Sequence, residues 1–196
     1  MRSIEDLEKK INSELTTKIN SSKIKHGHIY INIDEKNILD VILFLKTNSE
    51  TKFKQLIDIT AVDYPENDRR FKLVYLLLSH ESNQRIIIDY NIKENEVVSS
   101  LVSIFPSANW MEREVFDMYG IEFKDHPDLR RILTDYGFEG HPLRKDFPLT
   151  GHKEVRYSED EKKVIYETVK LEQNYRNFDY ESPWEGTKYI KDQSKK

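Results

Sequence analysis

The stretch FKLVYLLLSHESNQRIIIDYNI, residues 71–92, carries a strong β-strand pattern. Its two halves, 71–80 and 84–92, are rich in aliphatic and aromatic residues, a composition that favours β-strands. The short polar Glu-Ser-Asn sequence at 81–83 separates them and predicts a hairpin turn. We therefore expect an antiparallel pair of strands at the centre of the protein.

The residues before this hairpin predict two more strands and two helices. Apolar residues at helical spacing indicate a helix over 4–15, and alternating apolar and polar residues indicate strands over 28–34 and 53–65. Asp34 is expected to cap a second helix over 35–47. The two strands would extend the central pair into a sheet that the helices cover.

Two further helices are predicted after the hairpin. The first covers 96–106 and ends at Pro106, because proline disfavours a helical conformation in the residue before it. The second runs from about Ser107 to Tyr119 and ends at Gly120, which suits the left-handed position after a helix. The predicted fold class is therefore α+β, a small α/β sandwich whose largely antiparallel mixed sheet carries helices on one face.

The sequence changes character after about residue 123. We divide the chain into a compact α+β domain at 1–123 and an extended C-terminal arm at 124–196, which is rich in proline, glycine and aromatic residues. Apolar residues in the arm follow no sustained period, so the arm cannot easily form a core of its own. We expect its aromatic side chains to lie on a partner protein, and an arm folded back on its own domain is the alternative.

Composition excludes several kinds of site. The 196 residues include no cysteine, which rules out disulfides, zinc–thiolate sites and cysteine-ligated iron–sulfur clusters in this chain. The net charge of −4 and the pI near 5.9 argue against general binding to nucleic acids or anionic membranes. The longest apolar run, at 41–45, is too short to cross a bilayer, so we expect no transmembrane segment.

The last predicted helix is densely charged. On a helical wheel, Arg113, Glu114 and Asp117 fall on the solvent side, where residues three and four apart form weak surface pairs. Around this helix and beyond it, between 112 and 156, arginine makes up 5 of the 8 basic residues, against 10 of 31 in the whole chain. Arginine forms bidentate hydrogen bonds with carboxylates and is preferred over lysine where the pair is tightly packed. The enrichment indicates an ion-pair network at a junction.

Glu112 differs from these charges because its wheel position falls inside the apolar arc of the helix. Two explanations are open. With Asn109 as the N-cap, Glu112 would complete a capping box. Alternatively, its carboxylate would reach inward to Arg130, Arg131 or Arg144 of the following segment. Neither explanation makes Glu112 a catalytic residue.

No catalytic, metal-binding or cofactor-binding constellation is predicted. His126, His141 and His152 lack the spacing that places metal ligands on one helix face and match no zinc signature. No serine lies in a Gly-x-Ser-x-Gly motif. The segments HPDLRR at 126–131 and HPLRK at 141–145 form a half-repeat, which fits either two similar docking corners or a chance similarity.

Two blocks of sequence carry a family resemblance. EREVFDMYGIEFKDHPDLRRIL at 112–133 and YGFEGHPLRKDFPLTGHKEVRY at 136–157 together resemble the signature of the 30-kilodalton-type subunit of NADH:quinone oxidoreductase, respiratory complex I. This subunit, the C-type subunit of the bacterial complex, belongs to the peripheral arm. The candidate structural and interface residues are Glu112, Arg113, Glu114, Asp117, His126, Arg130, Arg131, His141 and Arg144.

The resemblance implies an accessory subunit without a redox centre of its own. Such a chain packs against the 49-kilodalton-type (D-type) subunit, which bears the quinone site, and against neighbouring peripheral-arm subunits, with its arm extended along the partner. FMN and iron–sulfur clusters belong to partner subunits of the complex, which couples NADH oxidation to quinone reduction. The chain would lie at the cytoplasmic face of the bacterial inner membrane or the matrix face of the mitochondrial inner membrane.

Two functions of other classes are alternatives. One is a stand-alone metal-dependent enzyme. The other is an RNA-binding module, suggested by the basic and aromatic residues of 136–157. Its affinity would fall steeply with salt, and the acidic net charge of the chain counts against it.

Overall fold

The computed structural model describes residues 3–171 and residue 173. The chain divides into two compact units, Met1–Leu149 and Thr150–Lys196. The first unit thus ends at Leu149, beyond the domain end that the sequence suggested at 123. The physical reason is that the segment after 124 is hydrogen-bonded to the last helix of this unit.

Five strands of the first unit form a mixed sheet. They are β1 (Ile19–Lys25), β2 (His28–Ile33), β3 (Gln55–Asp63), β4 (Phe71–Ser79) and β5 (Gln84–Ile92). Their order across the sheet is β1-β2-β5-β4-β3, and all neighbours are antiparallel except β2 and β5. The predicted central hairpin is confirmed as β4–β5, and the predicted α+β class with it.

Three helices belong to the same unit: α1 (Ile4–Glu14), α2 (Ile38–Thr47) and α3 (Ala108–Tyr119). The hydroxyl of Ser3 caps α1 by accepting a hydrogen bond from the Asp6 N–H at 3.1 Å. The second predicted helix begins instead as a 3-10 turn, Glu35–Asn37, and the side chain of Asp34 makes no cap. Asp34 accepts a hydrogen bond from Asn20 at 3.0 Å, so its predicted capping role is wrong.

The core lies between one face of the sheet and the three helices. Along β4, every second side chain is buried, from Phe71 through Leu73, Tyr75 and Leu77. The buried apolar residues of the helices join them in one cluster. Each large side chain buried in this way contributes roughly 1.5–3 kcal/mol. The hydroxyls of Tyr75 and Tyr90 meet inside this core at 2.8 Å, so each has a hydrogen-bond partner.

The predicted helix over 96–106 is wrong. The region contains a short strand, β6 (Val98–Ser99), which pairs in parallel with β7 (Phe123–Lys124). Val98, Leu101 and Phe105 are buried, and their separations of three and four positions imitate a helical period. Here the buried positions belong to a strand and a turn instead.

Strand β1 is absent from the prediction. Its sequence, INSSKIK, shows no apolar alternation, because the strand lies at the edge of the sheet and most of its side chains are exposed. It pairs with β2 through a turn in which His26 and Gly27 both have positive φ. Such a turn is typical of a tight hairpin.

The second unit contains a two-stranded hairpin, β8 (Lys153–Ser158) and β9 (Lys163–Thr168). Val155 pairs with Tyr166, and Tyr157 pairs with Val164, so these four residues share one face. All four are more than half exposed. The arm aromatics from Tyr175 onward, on which the docking prediction partly rests, lie outside the described residues.

Candidate interface around helix α3

Asp117 joins α3 to the segment that follows it. Its carboxylate is fully buried. It accepts hydrogen bonds from the backbone N–H groups of Ile132, Leu133 and Thr134 at 3.0, 2.8 and 2.9 Å, from the Thr134 hydroxyl at 2.5 Å and from Arg131 at 2.8 Å. The predicted solvent-side position of Asp117 is therefore wrong, because residues 131–134 fold over that face of the helix.

These donors decide the charge of Asp117. Burial alone would raise the pKa of the carboxyl. The hydrogen bonds from Thr134, Leu133 and Ile132 act in the opposite direction and hold the pKa of Asp117 well below its usual range. Asp117 is thus an ionised anchor for an irregular loop.

Glu112 is also fully buried, but it contacts other elements. The Ser100 hydroxyl donates to one carboxylate oxygen at 2.6 Å, and the Leu101 N–H donates to the other at 2.7 Å. Both sequence-based explanations of Glu112 are wrong. The residue at the N-cap position of α3 is Ser107 rather than Asn109. The candidate arginines bind other groups, because β6 and the turn after it occupy this face of the helix.

The environment of Glu112 favours the neutral acid. Burial raises the pKa of Glu112 to about 7, although the two hydrogen bonds from Ser100 and Leu101 act to lower it. His126 Nε2 lies 4.0 Å from the carboxylate. The Asp128 N–H donates to His126 Nδ1 at 3.0 Å, and His126 Nε2 donates to the Asn109 carbonyl at 3.0 Å.

The C-terminal end of α3 is capped by the segment that contains the second His-Pro pair. Helix ends leave carbonyls without an intrahelical partner. Three donors reach them: His141 Nδ1 to Asp117, the Leu143 N–H to Met118, and Arg144 Nε to Tyr119, at 2.9, 3.1 and 2.6 Å. Each His-Pro histidine therefore contacts a backbone carbonyl of α3, one near each end of the helix.

Gly120 makes this cap possible. The residue has a φ of +74°, and a Cβ atom built on it would lie 2.5 Å from His141 Nε2 and 2.6 Å from Arg144 Nη2. Only glycine combines the left-handed conformation with this close approach. The predicted end of the helix at Gly120 is confirmed, and the reason is packing as well as conformation.

The remaining candidate residues differ in what they contact. Arg113 donates to the carbonyls of Arg130 and Arg131 at 3.0 and 3.1 Å. Arg131 also reaches the Gly140 carbonyl at 3.1 Å. Arg130 pairs with its neighbour Asp128 at 2.9 Å through an exposed side chain, and Glu114 is exposed on the helix surface.

Sequence reasoning missed a second network, centred on Asp63 and Arg70. The guanidinium of Arg70 forms a bidentate pair with the buried Asp63 at 2.7 and 2.9 Å, and this pairing lowers the pKa of Asp63. The Lys145 N–H also donates to Asp63, at 2.7 Å. Arg70 and Arg144 both contact Glu94, at 3.3 and 2.7 Å. The available signal was an arginine doublet at 69–70, the only one besides 130–131.

A comparison with known protein families identifies the chain. The family described as "Respiratory-chain NADH dehydrogenase, 30 Kd subunit" matches residues 31–153, which include the α3 junction. The chain belongs to this 30-kilodalton subunit family. The resemblance seen in the sequence is thereby confirmed.

Individual relatives of the 30-kilodalton family agree. The C-type subunit of NADH-quinone oxidoreductase from Ruegeria sp. (strain TM1040) is 53% identical over 190 residues, which cover 97% of this chain and 94% of the relative. Its counterpart from Dinoroseobacter shibae is 56% identical over 170 residues, covering 87% of this chain and 79% of the relative.

A solved structure shares the fold. It is a chain of the membrane-bound sulfane sulfur reductase, an archaeal respiratory membrane complex, with a TM-score of 0.64 and 24% identity. The match covers 74% of this chain and 85% of that one. In the described part of this chain, no helix is long and apolar enough to cross a membrane.

Proposed function

We propose that this chain is a structural subunit of the peripheral arm of NADH:quinone oxidoreductase and packs against the 49-kilodalton-type subunit, which bears the quinone site. Its family membership supports the assignment to the complex. The sequence has no cysteine to ligate an iron–sulfur cluster, which supports a chain without a redox centre of its own. The chain would reach the membrane through its partners, on the cytoplasmic or matrix side.

The observation that carries this proposal is a set of exposed apolar side chains on α3 and on the residues that follow it, from 133 to 149. They are Trp110, Leu133, Tyr136, Leu143 and Leu149. Trp110 is 69% exposed and Tyr136 is 96% exposed. Exposed tryptophan and tyrosine are typical of residues that become buried at protein interfaces. We call this set the α3 surface.

Two residues of the α3 surface, Leu133 and Leu143, lie on backbone that is hydrogen-bonded to α3. The carboxylate of Asp117 binds the backbone on both sides of Leu133, and the side chain of Arg144 holds the segment against the end of α3. A rigid apolar surface loses little conformational freedom when a partner covers it. The polar groups therefore act by presenting Leu133 and its neighbours to a partner.

The apolar face of the β8–β9 hairpin is a second surface of the same kind. An isolated two-stranded hairpin is marginally stable in water. Val155, Tyr157, Val164 and Tyr166 are all exposed on one of its faces. Contact with a partner would bury these side chains and stabilise the hairpin, which supports an arm that docks on another protein of the complex.

The direct test is recovery of the complex. The chain is tagged at its N-terminus, membranes are solubilised gently, and the purified material is analysed by native gel and mass spectrometry. We expect a large assembly that contains the 49-kilodalton-type subunit and oxidises NADH with quinone as acceptor. Recovery of the chain alone would contradict the proposal.

Substitution of the α3 surface tests the docking site itself. We expect Trp110→Ala with Leu133→Ala to lower the amount of assembled complex about tenfold or more, since an interface tryptophan contributes about 2 kcal/mol. The matched control is Leu43→Ala, which removes a half-exposed leucine from α2. Equal amounts of complex in both variants would show that the α3 surface does not dock. The stability of each free variant is measured by urea unfolding, to separate docking from folding.

A further inference from the structure

Glu112 is a buried acid that the proposed docking surface does not use. Its carboxylate lies where three elements meet: β6 with its following turn, α3, and the residues after β7. Ser100 and Leu101 donate to it from the first of these, and His126 lies 4.0 Å away in the last. The Ser100 N–H also bonds to the Lys124 carbonyl at 3.0 Å, so β6 and β7 are tied together beside the acid.

His126 makes no hydrogen bond to the Glu112 carboxylate. Among the described residues it is the only basic group within 4.0 Å of the carboxylate. Its ring is fully buried, and both nitrogens already have partners, one as donor and one as acceptor. In the described part of the chain, the groups that donate hydrogen bonds to Glu112 are therefore neutral, and no cation lies within hydrogen-bonding distance of its carboxylate.

Among the residues that the structure describes, the other elements packed around Glu112 place no cation against its carboxylate. Tyr75 of β4 and Tyr90 of β5 are buried, and burial raises the pKa of both hydroxyls, so they stay neutral. Glu35, before α2, is a further acid close enough to act on both tyrosines. Lys46 of α2 donates to a backbone carbonyl instead.

We propose that Glu112 is a buried proton-binding site whose neutral, protonated form holds the junction of β6, α3 and the His126 loop together. A buried carboxylate without a cation is costly, whereas the neutral acid can share a hydrogen bond with the Ser100 hydroxyl. Burial raises the pKa of Glu112 to about 7, which puts the change of charge near neutral pH. The junction therefore loosens as the proton leaves.

The wild-type chain gives the first test. The side-chain carboxyl carbon of Glu112 is followed by NMR in the full-length chain from about pH 5 to about pH 9. We expect its resonance to move with a midpoint of about 7, while the carboxyl carbon of Asp117 stays that of an ionised group. A Glu112 carboxyl that is already ionised at the acidic end would overturn the proposal. This measurement does not depend on any variant folding.

A stability comparison provides the second test. The unfolded chain loses the Glu112 proton near the ordinary glutamate pKa of ~4.3, whereas the folded chain keeps it until about pH 7. Between these values the folded state binds more protons, so wild type loses stability relative to Glu112→Gln as the pH rises. We expect the ratio of their folding constants to fall by nearly tenfold per pH unit in this window and to level off above it.

The control for this comparison is Glu114→Gln, the same change at an exposed position on the same helix. We expect its stability to follow that of wild type at every pH. Parallel pH profiles for wild type and Glu112→Gln would overturn the proposal. Both tests use the free chain, so their outcome is independent of whether the α3 surface docks on a partner.

Discussion

At the scale of single residues, Asp117 and Glu112 are two buried acids on one helix whose pKa values move in opposite directions. The difference lies in the number of donors. Asp117 accepts five hydrogen bonds, including one from Arg131, whereas Glu112 accepts two from neutral groups. Desolvation acts on both, and only a sufficient set of donors outweighs it.

We expect Asp117→Asn to lower the free energy of unfolding by about 3 kcal/mol, since hydrogen bonds to a buried charged group contribute about 1.5–3 kcal/mol each. The amide can replace only part of the acceptor capacity of the carboxylate, so buried N–H groups lose their partner. Urea unfolding at neutral pH measures the loss. The control, Glu114→Gln, should stay within about 0.5 kcal/mol of wild type.

The stability of Asp117→Asn should also change less than that of wild type as the pH falls. Because the folded pKa of Asp117 is lowered, the stability that it contributes is present above the ordinary aspartate pKa of ~3.9 and is lost as the pH falls below it. Wild type should therefore lose stability in acid more steeply than Asp117→Asn. Equal acid profiles would contradict an ionised Asp117 in the folded chain.

At the scale of elements, the end of α3 shows how a helix terminus organises a loop. Donors from Leu143 and its neighbours satisfy three consecutive carbonyls, and Gly120 leaves space for the side chains of His141 and Arg144. The loop needs no regular structure of its own, because the helix end supplies its acceptors.

Gly120→Ala tests this cap, and the chain offers a matched control. Gly27 has the same φ of +74°, but a Cβ atom there would meet nothing within 4 Å. Gly27→Ala should cost about 1–2 kcal/mol, the penalty for the left-handed conformation. We expect Gly120→Ala to cost about 1–3 kcal/mol more, as typical of overpacking, and to speed hydrogen exchange of the Leu143 amide. Equal losses in the two variants would show that the cap contacts contribute nothing.

At the scale of the whole molecule, the first unit extends to Leu149 because inward contacts continue almost to that point. Lys145 donates to Asp63, and the rings of Phe138 and Phe147 lie 5.8 Å apart. The first of these contacts joins residues that lie far apart in sequence, so the segment from 124 to 149 belongs to the fold of the first unit.

A chain truncated after Leu149 should therefore fold. We expect its thermal unfolding to match that of the first unit in the full-length chain, as followed by circular dichroism. We also expect about a tenfold loss of assembled complex, the effect of removing about 1.4 kcal/mol of binding energy, because the hairpin surface is gone. An unfolded fragment, or undiminished assembly, would contradict the expected division of roles.

Local sequence patterns were sufficient to predict the central hairpin, the helix that ends at Gly120, the α+β class and the family. These features depend on local composition and period, which neighbouring residues carry. The sequence also identified Glu112 as unusual, because its wheel position conflicts with its charge.

The partners of Glu112 and Asp117, the end of the first unit and the non-helical conformation of 96–106 depend on contacts between distant residues, which local patterns do not contain. A periodic pattern reports that a side chain will be buried, but it does not report which distant donors will surround it. Ser100, Thr134 and Arg131 reach these acids from residues 12 to 17 positions away. The charge state of a buried acid is therefore a property of the packed chain, set by the balance between desolvation and hydrogen bonds.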